Sequence, residues 1–166
     1  MYIIILIIVV LVNFLLQSTI FPYVAIFGVV PNTALLIVMS ISLLKGKYYG
    51  GFTGLFMGLL QDMIFSSVIG INSFIYFFAG YLIGLLENKL SKENMFIPIL
   101  FSIIGTIYYN FTYYTFMFFL SRNIPILSFS KNIMIIEILY NIVIAIPIYI
   151  MFSKIFKEPT IKFDRK

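Results

Sequence analysis

The chain has 166 residues, of which 62% are hydrophobic and only 10% charged, with a net charge of +5 and a mean hydropathy of +1.10. A soluble domain of this size has too much surface for its volume to hide so many apolar side chains, so water is excluded as the main solvent. The absence of Cys and His excludes thiol chemistry and removes the commonest general base and transition-metal ligand.

Lipid is then the solvent, and each spanning helix needs about 20 apolar residues, so six of them would use roughly 120. That predicts one all-α bundle of about six transmembrane helices over residues 1–156, followed by a polar tail at 157–166. The first run covers residues 1–16. No Lys or Arg precedes it and no small-residue cleavage pattern follows it, so it reads as a retained helix rather than a signal peptide. Phe21-Pro22, Gly28 and Pro31 break the chain before a second helix over 31–44, with Pro31 in its first turn. The third helix spans 49–65, residues 66–72 turn, and the fourth spans 73–86. Residues 87–94 form a polar loop. The fifth helix covers 95–120 with Pro98 in its first turn, residues 121–131 connect, and the sixth covers 132–155. Pro147 interrupts the sixth and predicts a kink. The second, third and fourth runs are short for a full span.

The basic residues sit in short clusters between apolar runs. They form no groove-sized patch, which argues against a nucleic-acid partner and for an orienting role in a bilayer. With the N-terminus in the cytoplasm, Lys45, Lys47, Lys89, Lys92, Lys154, Lys157, Lys162, Arg165 and Lys166 all face inward. Only Arg122 and Lys131 face outward. The positive-inside bias therefore predicts that both termini are cytoplasmic.

Two groups of residues stand out. Gly46, Gly50, Gly54 and Gly58 recur every four residues, with Asp62 on the next step, and Gly80 and Gly84 repeat the spacing on the fourth helix. Glycine on one helix face lets another backbone approach closely, within the bundle or in a partner. The second group is polar. An acid at a membrane-helix centre costs about 2.5–3.5 kcal/mol, so Asp62 and Glu137 should face the bundle interior or a wet cavity. In the orientation above, Gln17, Asn32, Asp62, Asn72 and Glu137 gather in the outer layer, and Asn141 lies one turn below Glu137 on the same face. This cluster reads as a structural hydrogen-bond knot with Arg122 or Lys131 as counter-charges, a docking site for a partner's helix, or an outward-facing small-molecule pocket. The Tyr108-Tyr109 and Tyr113-Tyr114 pairs read as packing. No metal motif, phosphate loop or nucleophile–base pair is present, so no metal, cofactor or enzymatic activity is expected.

Read in order, several stretches resemble the rod shape-determining MreD family. They are Leu16-Gln17-Ser18-Thr19-Ile20-Phe21-Pro22, Val30-Pro31-Asn32, and Gly50-Gly51 through Gly54 and Gly58 to Leu59-Leu60-Gln61-Asp62. Gly70-Ile71-Asn72, Gly80-Tyr81-Leu82-Ile83-Gly84, and Glu137-Ile138-Leu139-Tyr140-Asn141 with Pro147 complete the set. The resemblance implies a multi-pass protein of the bacterial cytoplasmic membrane. Its fold would be similar to the substrate-binding subunits of energy-coupling factor transporters. It also implies a non-catalytic role: binding an MreC-like single-span protein and, through it, serving MreB, RodA and a class B penicillin-binding protein in lateral peptidoglycan synthesis. A vitamin-transporter subunit is the alternative that this fold similarity raises, because fold alone does not decide function. Self-association is left open.

Overall fold

The computed structural model describes residues 2–66, 68–90, 92, 94–120 and 131–156. Most of the connection at 121–131 and the tail at 157–166 lie outside them. Among the described residues six α-helices follow one another: α1 (Tyr2–Thr19), α2 (Thr33–Lys45), α3 (Lys47–Phe65), α4 (Ile71–Gly84), α5 (Phe96–Phe119) and α6 (Lys131–Ile155). Short 3₁₀ turns occupy Phe21–Val24 and Glu87–Lys89. No strand is present among the described residues, apart from one isolated bridge between Ile26 and Val29.

The centre of the bundle is α2. Every residue from Thr33 to Leu44 is buried, as expected of a helix that is apolar all round. Its two serines do not break this pattern, because Ser40 and Ser42 donate to their own helix at Leu36 O (2.8 Å) and Val38 O (2.6 Å). Against α2 pack α3, α4, α5 and α6, while α1 stands at the edge. Outward-facing positions are apolar as well. Ile7, Phe52, Phe56, Phe111, Phe118 and Val143 are each more than half exposed, and an exterior of this kind suits hydrocarbon rather than water. Two helices, Phe96–Phe119 and Ile133–Ile155, are long and apolar enough to cross a membrane. At 13 residues, α2 reaches only about 20 Å.

The closest packing is between α3 and α4. A methyl group added at Gly54 would run into the Tyr76 carbonyl, one at Gly58 into the Ser73 backbone, and one at Gly84 into the Lys47 backbone. At Gly80 it would stand 2.5 Å from the Gly50 carbonyl oxygen, and at Gly50 it would meet Ser42 of α2. Both glycine stripes are thus used inside the bundle, where they bring backbone against backbone.

Helix boundaries differ from the sequence expectation in instructive places. Pro31 does not open α2. It precedes the N-cap Asn32, whose side-chain oxygen accepts from the Leu35 N–H at 3.1 Å, a stronger start signal than a first-turn proline. α4 begins at Ile71, two residues early, and ends at Gly84 rather than 86. α1 runs on to Thr19, and α3 starts at Lys47, with Gly46 alone between it and the end of α2. Pro147 lies inside the continuous α6.

Between α1 and α2, Ile26 and Val29 exchange both backbone hydrogen bonds (3.1 and 2.9 Å) around Phe27 and Gly28. These two central residues have φ of 51° and 78°. Two positive φ values mark a type I′ turn, which favours Asn-Gly. A phenylalanine in this left-handed region costs about 1–2 kcal/mol.

The glycine stripes generate a contrast. Gly54→Ala and Gly58→Ala are each expected to destabilise the bundle by about 2 kcal/mol or more, because backbone cannot yield. Gly51→Ala meets side chains alone, the Phe77 ring at 3.4 Å and Tyr81 Cβ at 3.7 Å, and should be neutral or slightly stabilising, since alanine favours helix. Thermal unfolding in detergent micelles, followed by circular dichroism, measures the difference.

Candidate functional site

One end of the bundle gathers the C-terminal ends of α1 and α3 and the N-terminal ends of α2 and α4. It is called here the amide end, and the opposite end, with Lys45, Lys47, Lys89, Lys92 and Lys154, the lysine end. At the amide end the fold must satisfy the unpaired N–H groups that open each helix. The residue that does this for α4 comes from α3. Asp62, fully buried, sits one step beyond Gly58 on the stripe that holds α3 against α4. Its Oδ2 accepts from the Gly70 N–H (3.0 Å) and the Ser73 N–H (3.0 Å). Its Oδ1 accepts from the Asn72 N–H (3.2 Å) and the Asn72 side-chain amide (2.9 Å). Gly70 reaches this position because its φ of 105° is open to glycine. A carboxylate at a helix N-terminus is further favoured by the helix dipole.

Around Asp62, hydrogen bonds and one ring stack touch all six helices. The Asn72 amide also donates to the Ser66 hydroxyl (2.9 Å), and the Tyr109 hydroxyl of α5 donates to Asn72 Oδ1 (2.8 Å). Tyr109 stacks on Tyr76 of α4 with ring centroids 5.6 Å apart. The Tyr76 hydroxyl donates to Asn32 Oδ1 (2.8 Å) and lies 3.0 Å from the Gln61 amide of α3. The Asn32 N–H donates to Asn141 Oδ1 (3.0 Å), and the Asn141 amide donates to the Thr106 hydroxyl (2.9 Å). One turn along, the Asn110 amide donates to Glu137 (2.8 Å). Thr106–Asn141 and Asn110–Glu137 are therefore two rungs between α5 and α6, four residues apart on each helix. On the other flank, the Thr33 hydroxyl donates to Asn13 Oδ1 (2.7 Å) and meets the Gln17 amide at 2.8 Å.

All six residues expected in the outer layer (Gln17, Asn32, Asp62, Asn72, Glu137 and Asn141) take part in this network. Asp62 and Asn141 are fully buried, and Asn32 and Asn72 nearly so. Glu137 is half-buried, with Asn110 as its partner. Arg122 lies outside the described residues. The sequence reading missed Asn13, Thr33, Gln61, Tyr76, Thr106, Tyr109 and Asn110. A signal was present for some of them, since Asn13 with Gln17 and Thr106 with Asn110 are polar pairs at four-residue spacing.

The network leaves little open space. The cavity lined by Asn13, Gln17 and Gln61 is about 10 Å³, room for about one water molecule. Among the described residues no group of three potential metal ligands occurs. Larger open space lies elsewhere, in an apolar groove of about 750 Å³ between α1 and α3, lined by Ile7, Leu11, Phe52, Phe56 and Met63. Thr53 also lines it, and its hydroxyl is the buried side-chain polar atom without a hydrogen-bond partner among the described residues.

Comparison with known proteins places this arrangement. A family model described as the rod shape-determining protein MreD matches residues 1–158. No curated protein and no solved structure matches the chain.

The network predicts unequal roles for its two acids. Asp62→Asn puts an amide where three backbone N–H groups need acceptors, and should cost about 3 kcal/mol or more. Glu137→Gln keeps an oxygen for Asn110 and should change stability by less than about 1 kcal/mol. Paired melting curves of the two variants in the same detergent test this ranking.

Proposed function

The chain belongs to the MreD family of rod shape-determining proteins, and from that premise we propose that it is a non-catalytic membrane scaffold of the bacterial cell-elongation machinery. In this reading the chain crosses the cytoplasmic membrane six times, the short α2 together with the connection before it, with the lysine end and both termini in the cytoplasm and 157–166 as a cytoplasmic tail. Its direct partner is an MreC-like single-span protein. MreB, RodA and a class B penicillin-binding protein are reached through that complex, in support of lateral peptidoglycan synthesis.

The observation that carries the scaffold reading is the use of the polar residues. Asp62, Asn72, Asn32 and Asn141 hydrogen-bond other parts of the same bundle, an arrangement that serves rigidity. Family membership supports the same view, since the family determines shape and is not a known enzyme family. A transporter substrate-binding subunit, with a fold similar to those of energy-coupling factor transporters, would instead need a cavity into which several polar groups converge on a ligand, whereas the polar groups of this network bond one another.

The α1–α3 groove is the surface we assign to the partner's membrane helix. Its aromatic wall, with Phe52 59% and Phe56 58% exposed, offers the van der Waals contact that drives helix association in lipid. The Thr53 hydroxyl is an unused donor beside it.

Affinity purification from native membranes, with mass spectrometry of proteins and metabolites, is expected to recover a single-span partner in stoichiometric amount and no bound vitamin. A stoichiometric small molecule without such a partner would contradict the scaffold reading. Phe56→Ala should leave the isolated protein folded, because the side chain is exposed, and should lower partner recovery severalfold. Unchanged recovery would remove the groove from the interface. Thr53→Val should raise the melting temperature of the protein alone, since a buried unpaired hydroxyl costs about 1–3 kcal/mol.

A further inference from the structure

The connection between α1 and α2 has the wrong chemistry for a loop in water. No charged residue precedes Lys45 in the chain, and residues 20–31 carry one polar side-chain group, the Tyr23 hydroxyl. Water-facing loops are ordinarily polar. Yet Tyr23 is 91% and Phe27 88% exposed, with Ile20, Val24 and Ile26 each about half exposed. These side chains have found no cover within the described chain.

With the bundle set in a bilayer as proposed above, the length of α2 puts the same segment at membrane depth. α2 runs from Lys45 to Thr33, and its 13 residues reach about 20 Å against a hydrocarbon core of about 30 Å. Measured from the lysine end, the connection therefore begins short of the far interface. Irregular backbone is tolerated there only when its polar groups are met, and here several are. Ile26 and Val29 pair with each other, and the Tyr23 N–H donates to Ile20 O at 3.0 Å. The Tyr140 hydroxyl of α6 donates to Val24 O at 2.8 Å, pinning the segment to the bundle.

Phe27 adds an independent observation. It holds the left-handed position of a type I′ turn, where Asn or Gly would fit without strain. The strain is offset if the phenyl ring leaves water, since burial of a phenylalanine outweighs one left-handed residue.

We propose that the α1–α2 connection is a membrane-embedded segment whose hairpin tip inserts Phe27, with Tyr23 at headgroup level, into the leaflet at the amide end. The tip adjoins α1 and is tied to α6 through Tyr140, helices whose outer faces are apolar, so its occupant is lipid. Tyrosine suits the interface because its ring is apolar and its hydroxyl reaches water. The segment acts as a depth anchor that fixes how far the short α2 sits from the far membrane surface.

The chain contains no Trp, so single tryptophans report cleanly. Phe27→Trp, Tyr23→Trp and a tail control, Lys166→Trp, would be placed in phosphatidylcholine nanodiscs with one copy per disc. For Phe27→Trp, blue-shifted emission, severalfold weaker iodide quenching than the tail control, and quenching by lipids brominated near the headgroup are expected. Iodide quenching equal to that of the tail control would overturn the proposal. So would shielding that appears only in discs loaded with two copies, which would make a second chain the occupant. If Phe27→Trp does not fold, Tyr23→Trp decides by the same readings, with emission between those of lipid and water.

Discussion

A carboxylate held at the start of a helix it does not belong to organises this bundle. Asp62 of α3 accepts from the backbone of Gly70, Asn72 and Ser73 and from the Asn72 side chain. The acid would be costly alone in lipid, and so would the unpaired N–H groups that open α4. Each removes the other's cost. The contact is possible because Gly54 and Gly58 let the α3 and α4 backbones touch, which places Asp62 within reach of the first turn of α4. It also fixes Asn72, whose oxygen then accepts from Tyr109, and so ties α5 to the α3–α4 pair.

Directional bonds matter more here than in a soluble core. Lipid tails are as apolar as the helices, so burial of leucine gives no strong drive for one helix to choose another. Close glycine packing and hydrogen bonds must set the register instead. The path from Asp62 through Asn72 and Tyr109, and from Tyr76 through Asn32 to Asn141 and Thr106, crosses α2 to α6 with few members exposed. Among the described residues, α1 joins this network through Asn13 and Gln17 to Thr33. Against α3 it packs through Phe14 and Phe65, with ring centroids 6.2 Å apart, beside the open groove.

Much of this was legible in the sequence, for physical reasons. Apolar runs and the breaks between them gave the order of the helices, because each run is long enough for only one helix. The four-residue glycine spacing marked the faces of α3 and α4, and the expense of an acid in lipid drew attention to Asp62 and Glu137. What remained hidden was the pairing. Tyr76 and Tyr109 look like ordinary membrane aromatics, since nothing in their spacing reveals that their hydroxyls meet Asn32 and Asn72 across helices. Gln61 is overshadowed by its neighbour Asp62. Pro31 was expected inside α2 because proline tolerates a first turn, but Asn32 supplied a true side-chain cap and displaced it.

The chain belongs to a shape-determining family, and the scaffold role proposed for it requires a surface held in one conformation. The central claim is that Asp62 holds the start of α4. Site-resolved hydrogen exchange in nanodiscs tests it most directly. The amides of Gly70, Asn72 and Ser73 should exchange slowly in the wild-type protein and rapidly in Asp62→Asn, while the amides of α2 stay protected in both. Rapid exchange at these three positions in the wild-type protein, or slow exchange in the variant, would contradict the account.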